Sequence, residues 1–573
     1  MTQIANRGDT ETRRGFYFSK VSSSLWLNRI LLWLLPLSFL SIAFFHPLSR
    51  ILALTLDPAT LTSQNLLLAS RVLLFTFYQA ALSTLLTLLL GLPVAYLFAR
   101  YDFRGKSLLR ALTAVPFMLP TVVVASAFNA MVGPRGLFSF LLPLSQNSFL
   151  LQPSPFLLIL IAHVFYNTTI IIRVIGNALS SLDPRLEAAA RSLGADSSRV
   201  WWHVTLPLLR PSLFAASLLV FLFDFTSFGV VLLLGGGKFA TLEVEIYLRV
   251  LRLPDLPLAA LLSIIQLICT ILVSILYSRF ASRSVIQTAP SAAESNIRKP
   301  KTLRERIFVS AFIFLLTSFF LLLLSALPIR SLFRVEADRG QRGTVQYGFT
   351  TDYYEELFVN RRGSVFYVPP IRATVNSLGY AGGTVILSLI LGFPAAFALA
   401  KPTRLERILD PLIMLPLGSS AVMLGLGLIL SYGAWLTSPW LVPFAHTLVA
   451  LPFVIRTLQP AIASIPLRLR QAASSLGASP WEVWKNIDLP ILRRATVAAA
   501  TFAFTISLGE FGATLLISRP EYPTIPVAIE RFLSQPGGLN YGQAMAMATI
   551  LMLLTTASIL LIEKFRLPGS GEF

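Results

Sequence analysis

Twelve apolar stretches run through this 573-residue chain, each reaching or approaching the roughly 20 residues that carry a helix across the hydrocarbon core of a bilayer. They cover Leu27 to Phe45, Val72 to Ala99, Ala111 to Met131, Phe156 to Leu179, Ser212 to Leu234, Pro257 to Tyr277, Ile307 to Leu327, Thr374 to Ala400, Ile408 to Tyr432, Leu441 to Ala463, Ala495 to Ile517 and Ala544 to Ile562. The pattern predicts an all-α membrane protein of about twelve transmembrane helices. Composition agrees: 55% of residues are hydrophobic and 13% charged, against roughly a quarter charged in a soluble domain, which excludes an ordinary cytosolic enzyme. The net charge of +20 would point a soluble protein toward nucleic acid. In a chain this apolar, basic residues collect in cytoplasmic loops and report topology instead, so no nucleic-acid partner is expected.

The loops give an orientation. Arg7, Arg13, Arg14, Lys20 and Arg29 precede the first stretch, Arg100, Arg104, Lys106 and Arg110 follow the second, and Arg185, Arg191, Arg199 and Arg210 follow the fourth. Between the third and fourth stretches Arg135 stands alone, and Ser431 to Trp440 carries no basic residue. The positive-inside rule places both termini in the cytoplasm. Phe44-Phe45-His46-Pro47 offers no A-x-A-like cleavage site, so the first stretch is expected to be a retained span. A lone Cys269 leaves no disulfide and no thiolate cluster, and His46, His163, His203 and His446 are far apart, so no metal site is expected.

The chain is a tandem duplication. Ala189 to Arg210 aligns without gaps to Ala472 to Arg493, with 12 of 22 positions identical at a shift of 283. The same shift pairs His163 with His446, Arg173 with Arg456, Phe228-Gly229 with Phe511-Gly512, and Thr241 with Thr524; upstream, Gly91-Leu92-Pro93 matches Gly392-Phe393-Pro394 at a shift of 301. Six spans separate the copies, so both have the same inside-outside sense and are related by an axis along the membrane normal. The expected organisation is a first half over 1–278, a polar, basic cytoplasmic linker over 279–306, and a second half over 307–567 with a long external loop at 328–371. That loop reads as a contact for an external protein, a small lid or an insert.

Each half places the same polar-apolar element, 187–211 and 470–494, between its fourth and fifth spans. Helix formers end at Gly194 and Gly477, both suited to a left-handed helix terminus. A second short helix starts at Asp196 or Ser479, the latter with the capping box Ser479-Pro480-Trp481-Glu482, and Pro207 and Pro490 are expected to stop it. Val200, Trp201 and Val204, with Val483, Trp484 and Ile487, are expected to form an apolar face that docks into a partner's groove. The alternative seats these tryptophans at the bilayer interface.

These elements resemble the E-A-A-x-x-x-G motif of permease subunits of bacterial ATP-binding-cassette importers. The motif stands here as Ala188-Ala189-Ala190-Arg191-Ser192-Leu193-Gly194 and Gln471-Ala472-Ala473-Ser474-Ser475-Leu476-Gly477, and its Glu is absent from both copies, Glu187 lying one residue early. The resemblance implies a type I importer permease in the bacterial cytoplasmic membrane. Ala189, Gly194, Val200, Trp201, Val204 and Pro207, with Ala472, Gly477, Val483, Trp484, Ile487 and Pro490, would then form two coupling elements for two copies of an ATPase subunit. That subunit would hold ATP and Mg, and this chain neither cofactor nor catalytic activity. An external solute-binding protein would deliver the solute. The fused, twelve-span form with Leu234-Gly235-Gly236-Gly237 and Ala240-Thr241-Leu242-Glu243-Val244-Glu245-Ile246-Tyr247 is similar to iron(III) and thiamine permeases. Iron(III) is the first expectation and thiamine the second. Gly235-Gly236-Gly237-Lys238 lacks the spacing of a phosphate-binding loop and reads as a turn.

Asp224 and Glu510 lie within spans, where ionisable groups are costly and point to function. At the 283 shift Asp224 meets Ser507 and Ser227 meets Glu510, so each half holds an acid and a Ser three residues apart on one helix face, in opposite order. Either the four line a translocation pathway for a cationic solute, or each acid holds a backbone break near Gly229 or Gly512 or pairs with an Arg. Arg173 and Arg456 are expected in structural pairs, and His163 and His446 in hydrogen-bonded helix contacts. An ion-coupled secondary carrier has the same two-half plan but no use for the duplicated element; a membrane scaffold has no use for the symmetric acids.

Overall fold

A computed structural model describes residues 31–133, 135–138, 154–283, 297–334, 348–359, 368–435 and 438–565. The basic N-terminal residues, residues 284–296 of the linker and much of the 328–371 loop lie outside the described residues.

The described chain is almost wholly helical. The first half comprises α1 (Leu31–Thr55), α2 (Ser63–Arg100), α3 (Lys106–Met118), α4 (Thr121–Val132), α5 (Pro155–Ser180), α6 (Pro184–Ser192), α7 (Ser197–Phe225), α8 (Gly229–Gly235), α9 (Leu242–Leu251) and α10 (Leu256–Arg283). The second comprises α11 (Leu303–Leu332), the strand pair β1 (Phe333–Arg334) and β2 (Gly348–Phe349), α12 (Asp352–Phe358), α13 (Arg372–Leu399), α14 (Arg404–Gly418), α15 (Ala421–Tyr432), α16 (Leu441–Ala463), α17 (Leu467–Ser475), α18 (Trp481–Gly509), α19 (Gly512–Ile517), α20 (Ile525–Ser534) and α21 (Gly538–Phe565). Among the described residues 10 helices are long and apolar enough to cross a membrane, and α14 with α15 forms one more, bent by 96°. The equivalent pair in the first half, α3 and α4, is broken at Leu119-Pro120 and its apolar part, Thr121–Val132, is a short helix, so the described residues hold 10 spans, or 11 with the bent pair, where the sequence pattern predicts about twelve.

Three sequence expectations are corrected in detail. The stretches Ser212 to Leu234 and Ala495 to Ile517 are not single helices: α7 ends at Phe225 and α18 at Gly509, and a short helix restarts at Gly229 and Gly512. Pro207 and Pro490 do not stop a helix. A π-helical turn over Trp201–Thr205 or Trp484–Asp488 directly precedes them, and each proline occupies the first turn of the α-helix that follows, where its missing N–H and ring are tolerated. The helical ends of the linker also extend further than its polarity indicates, to Arg283 on one side and from Leu303 on the other.

The repeat is visible in packing. Gly91 lets α2 approach α5, since a Cβ there would lie 2.8 Å from Ile171; at Gly392 the same atom would lie 2.6 Å from Val454, on α16. The backbone N–H of Leu242 donates to Thr76 Oγ1 (3.0 Å), and that of Ile525 to Ser377 Oγ (2.9 Å). Thr76 and Ser377 are equivalent at the shift of 301.

The two leading helices cross over. α1 lies in the core of the second half, with Phe39 against Phe444 (ring centroids 4.8 Å) and Tyr432 donating its hydroxyl to the Ile42 carbonyl (2.8 Å). Conversely, Phe319 and Phe320 of α11 pack on Phe165 of α5 at 5.4 and 5.0 Å, and Arg330 Nε donates to the Arg135 carbonyl (2.9 Å).

Candidate functional site: the helix breaks and the duplicated element

The duplicated element is built as its residues dictate. Asp183 caps α6, accepting from the Arg185 N–H at 2.9 Å. At the other end Gly194 has φ +85° and Gly477 φ +87°, and the Ala195 and Ala478 N–H groups reach back to the Ala190 and Ala473 carbonyls at 3.1 Å. This paired closure satisfies carbonyls that a helix end leaves open, and glycine takes it without a Cβ penalty. Asp196 accepts from the Arg199 N–H (3.0 Å), while Ser479 and Glu482 form the reciprocal capping box.

The apolar residues of the element face two ways. Val200 and Val483 are buried, and Trp201 and Trp484 pack inward: Trp201 on Tyr96 (6.1 Å), Trp484 on Phe393 (5.6 Å) and Phe397 (5.7 Å). Val204 and Ile487 are half-buried on the same inward side, whereas Ala189 and Ala472 are exposed. The outward face instead carries Leu193 and Leu476, 88% and 89% exposed, with Trp202 at 61% and Trp481 at 68%. The i, i+1, i+4 spacing identified a helix face without fixing its direction; the π turn rotates it onto α2 and α13.

The missing motif Glu is answered by a pair whose chemistry is exchanged between the halves. Glu187 accepts from Thr205 Oγ1 (3.1 Å) and bonds Arg100 at the end of α2. At the shift of 283 Glu187 becomes Arg470 and Thr205 becomes Asp488, and Arg470 Nε donates to Asp488 Oδ1 at 2.7 Å while lying over the Phe397 ring.

Deeper in the membrane each helix break is held by an imidazole and an acid. His163 on α5 has Nε2 2.8 Å from Ser227 Oγ and Nδ1 3.4 Å from Asp224 Oδ1, with Gln79 Nε2 2.8 Å from Nδ1; Asp224 also accepts from Asn167 Nδ2 at 2.7 Å. In the second half His446 on α16 has Nδ1 2.7 Å from Ser507 Oγ and Nε2 3.2 Å from Glu510 Oε2. Glu510 accepts from the Ala513 and Thr514 N–H groups at 2.9 and 3.0 Å, capping α19. Asp224 and Ser227 thus meet at His163 in the first half, and Ser507 and Glu510 at His446 in the second. The expected arginine partner is replaced by histidine; Arg456 pairs with Asp410 (3.0 Å). Since His163 lies on α5, Asp224 at the end of α7 and Ser227 in the break that follows, sequence spacing did not reveal that the histidine and acid of each half converge.

Between these clusters the two breaks face each other. Phe228 and Phe511, equivalent by the repeat, lie with ring centroids 5.3 Å apart across the junction of the halves, and Tyr247 of α9 meets Phe228 at 5.6 Å. Pro120 of the first half lies against Gly509 of the second, where a Cβ would sit 3.1 Å from its ring. A buried acid missed by the pathway assignment is also present: Glu243, whose Oε1 accepts from Gln266 Nε2 at 2.7 Å and whose Oε2 accepts from Ser420 Oγ, in the second half, at 2.9 Å. Two equivalent rings thus meet at the junction of the halves, each carried at a break between two helices.

The model of the family described as "Binding-protein-dependent transport system inner membrane component" matches residues 87–285 and 388–565, once in each half. The thiamine transport system permease protein ThiP of Brucella abortus (strain 2308) is 30% identical over 505 residues, covering 86% of this chain and 87% of that protein. ThiP of Escherichia coli (strain K12) is 27% identical over 506 residues, covering 87% and 89%. A probable ABC transporter permease, y4fN of Sinorhizobium fredii (strain NBRC 101917 / NGR234), is 24% identical over 514 residues, covering 87% and 88%. These relatives support an importer permease over a secondary carrier or scaffold, and they give the iron(III) expectation no support; the solute their names carry is thiamine.

Proposed function

Because the chain belongs to the family of binding-protein-dependent transport system inner membrane components, its two permease halves fused in one polypeptide, we propose that it is the membrane subunit of an ATP-driven importer whose solute is thiamine. The family and the apolar helices make it a multi-pass inner-membrane transport protein. That both termini are cytoplasmic, that residues 1–278 and 307–567 are the functional halves with 279–306 as linker, and that one ATPase copy engages each half belong to the proposal.

The observation that carries the reading is the Phe228–Phe511 contact on the junction of two equivalent helix breaks. A pathway between parallel halves closes where equivalent side chains meet, and opens when the halves rotate apart. The chain supplies the linkage for that rotation. α5 and α16 run into the duplicated elements, and on the same two helices His163 and His446 grip the segments bearing Phe228 and Phe511. Movement of the elements by an ATPase would pass through two rigid helices to both rings at once. On the element, Leu193, Trp202, Leu476 and Trp481 are the groups free to enter an ATPase cleft, while Trp201 and Trp484 transmit the motion by packing on α2 and α13. ATP chemistry, with its Mg, is assigned to the ATPase.

The test is purification of the chain with its ATPase in mild detergent, followed by thiamine uptake in proteoliposomes supplied with ATP and the binding protein. Retention of the ATPase, its loss in a Leu193→Asp, Leu476→Asp double variant, and ATP-dependent thiamine uptake are the expected results. Purification without an ATPase, or uptake driven by an ion gradient alone, would overturn the importer reading; ATP-dependent uptake of another solute with thiamine ignored would overturn the solute.

A further inference from the structure

Four acids, Asp224, Glu243, Glu510 and Glu530, are buried among the described helices near the junction, and they are not equivalent in how their charge is balanced: Glu530 of α20 lies near the Arg252 and Arg531 cations. Asp224 and Glu510 each lie beside a histidine of their own half. Glu243 makes no ion pair among the described residues: a glutamine amide and a serine hydroxyl are its hydrogen-bond partners, and the N-terminus of the ten-residue α9 adds a partial positive charge. It is 1% exposed. Burying a carboxylate with neutral partners alone is costly, and within a membrane protein such a group points to function.

Its surroundings point to a cation. Glu243 and Glu510 are close enough to repel each other. One turn along α9 from Glu243 stands Tyr247, which lies on Phe228, which lies on Phe511. Two further polar atoms there are buried without a hydrogen-bond partner: Gln266 Oε1, on the amide that already bonds Glu243, and Thr241 Oγ1, two residues before it. Gln266 is 1% and Thr241 0% exposed. Carboxylate, open carbonyl and hydroxyl oxygens, one helical turn from Tyr247 at the end of a row of three aromatic rings, suit a flat organic cation bearing donor groups; rings bind cations through their faces. A hard metal ion would instead need six or more oxygen ligands.

We propose that Glu243, Gln266 and Thr241, walled by Tyr247 and the Phe228–Phe511 pair, form the transport site for an aromatic organic cation at the junction of the halves. The site is single. At the shift of 283 Glu243 becomes Pro526 and Tyr247 becomes Glu530, whose charge lies near Arg252 and Arg531, so the second half contributes Ser420, Phe511 and Glu510 but does not repeat the arrangement around Glu243. The inference rests on the thiamine reading, whose solute carries one permanent thiazolium charge, an aminopyrimidine and a hydroxyl.

The experiment uses the full transporter in proteoliposomes and two solutes: thiamine, and the uncharged isostere in which a thiophene ring replaces the thiazolium. Glu243→Gln keeps the shape and one of the two acceptor oxygens but removes the charge. It is expected to lower thiamine uptake at least tenfold while uptake of the neutral isostere falls less than threefold, so that the preference for the cation collapses; Glu243→Asp is expected to keep that preference. Assembly of each variant with its ATPase, followed by gel filtration, guards against a folding defect. Equal loss for both solutes would show a structural role and overturn the site, as would unchanged thiamine uptake in Glu243→Gln. A wild-type transporter that moves no thiamine would instead overturn the solute reading on which the site depends.

Discussion

At Gly392 a hydrogen stands where any other side chain would meet Val454 at 2.6 Å, and Gly91 does the same against Ile171. The Gly-Leu-Pro and Gly-Phe-Pro pair therefore marks two close helix crossings, and the contact is made of one methyl-sized gap. Gly392→Ala is expected to lower stability by about 1–3 kcal/mol through overpacking, and Gly392→Ala with Val454→Ala to recover most of it; melting temperatures in detergent check both. A similar exchange of partners occurs at Glu187 and Arg470. Arg470→Glu alone would place two carboxylates side by side at Asp488, whereas Arg470→Glu with Asp488→Thr rebuilds the arrangement of the first half, with Lys401 standing where Arg100 stands. The single variant is expected to lose about 1 kcal/mol, a figure kept small because Arg470 is partly exposed, and the double variant to regain it. An equal loss in both would show that the pair does not act as a unit.

Helical elements were legible wherever apolar length decided them, and illegible wherever a backbone break or a turn of register decided them. The pairing of His163 with His446 and of Phe228 with Phe511 was visible as a repeat, yet that Phe228 touches Phe511 follows from the opposition of the halves, which no spacing encodes. The duplicated element shows the same limit: Gly194 and Gly477 end α6 and α17 as their residue type requires, but the π turns before Pro207 and Pro490 decide which apolar residues face outward. Glu243 escaped notice because α9 is too short to announce itself as a span. Two predictions belong to this scale. Gly477→Pro cannot adopt φ +87° and is expected to abolish stimulation of ATP hydrolysis by the loaded binding protein while membrane insertion persists; undiminished stimulation would remove the element from the coupling path. Phe511→Ala removes one ring of the Phe228–Phe511 contact and is expected to raise passive release of thiamine from loaded proteoliposomes several-fold without ATP. Release at the wild-type rate would place the barrier elsewhere.

The crossing of α1 and α11 changes what the linker has to do. Each leading helix packs one face on the other half: Phe39 on Phe444 and Tyr432 on the Ile42 carbonyl at one side, Phe165 between Phe319 and Phe320 at the other. Large apolar side chains buried in this way bring about 1.5–3 kcal/mol each when taken out of water, and in lipid their advantage comes from packing and from hydrogen bonds such as Arg330 to the Arg135 carbonyl. Two such exchanges hold the halves together without a covalent bond. The duplication was legible as two copies in sequence; the exchange of their first helices was not, since a helix's hydrophobic surface does not record whose neighbour it is. A protease site inserted between residues 284 and 296 is therefore expected, after complete cleavage, to yield two fragments that elute as one complex and transport thiamine at close to the uncut rate. Deleting α1 is expected to separate those cleaved fragments, because it removes Phe39 and the Ile42 carbonyl from the second half. Separation of the cut but otherwise intact protein would show instead that the linker, and not the crossed helices, joins the halves.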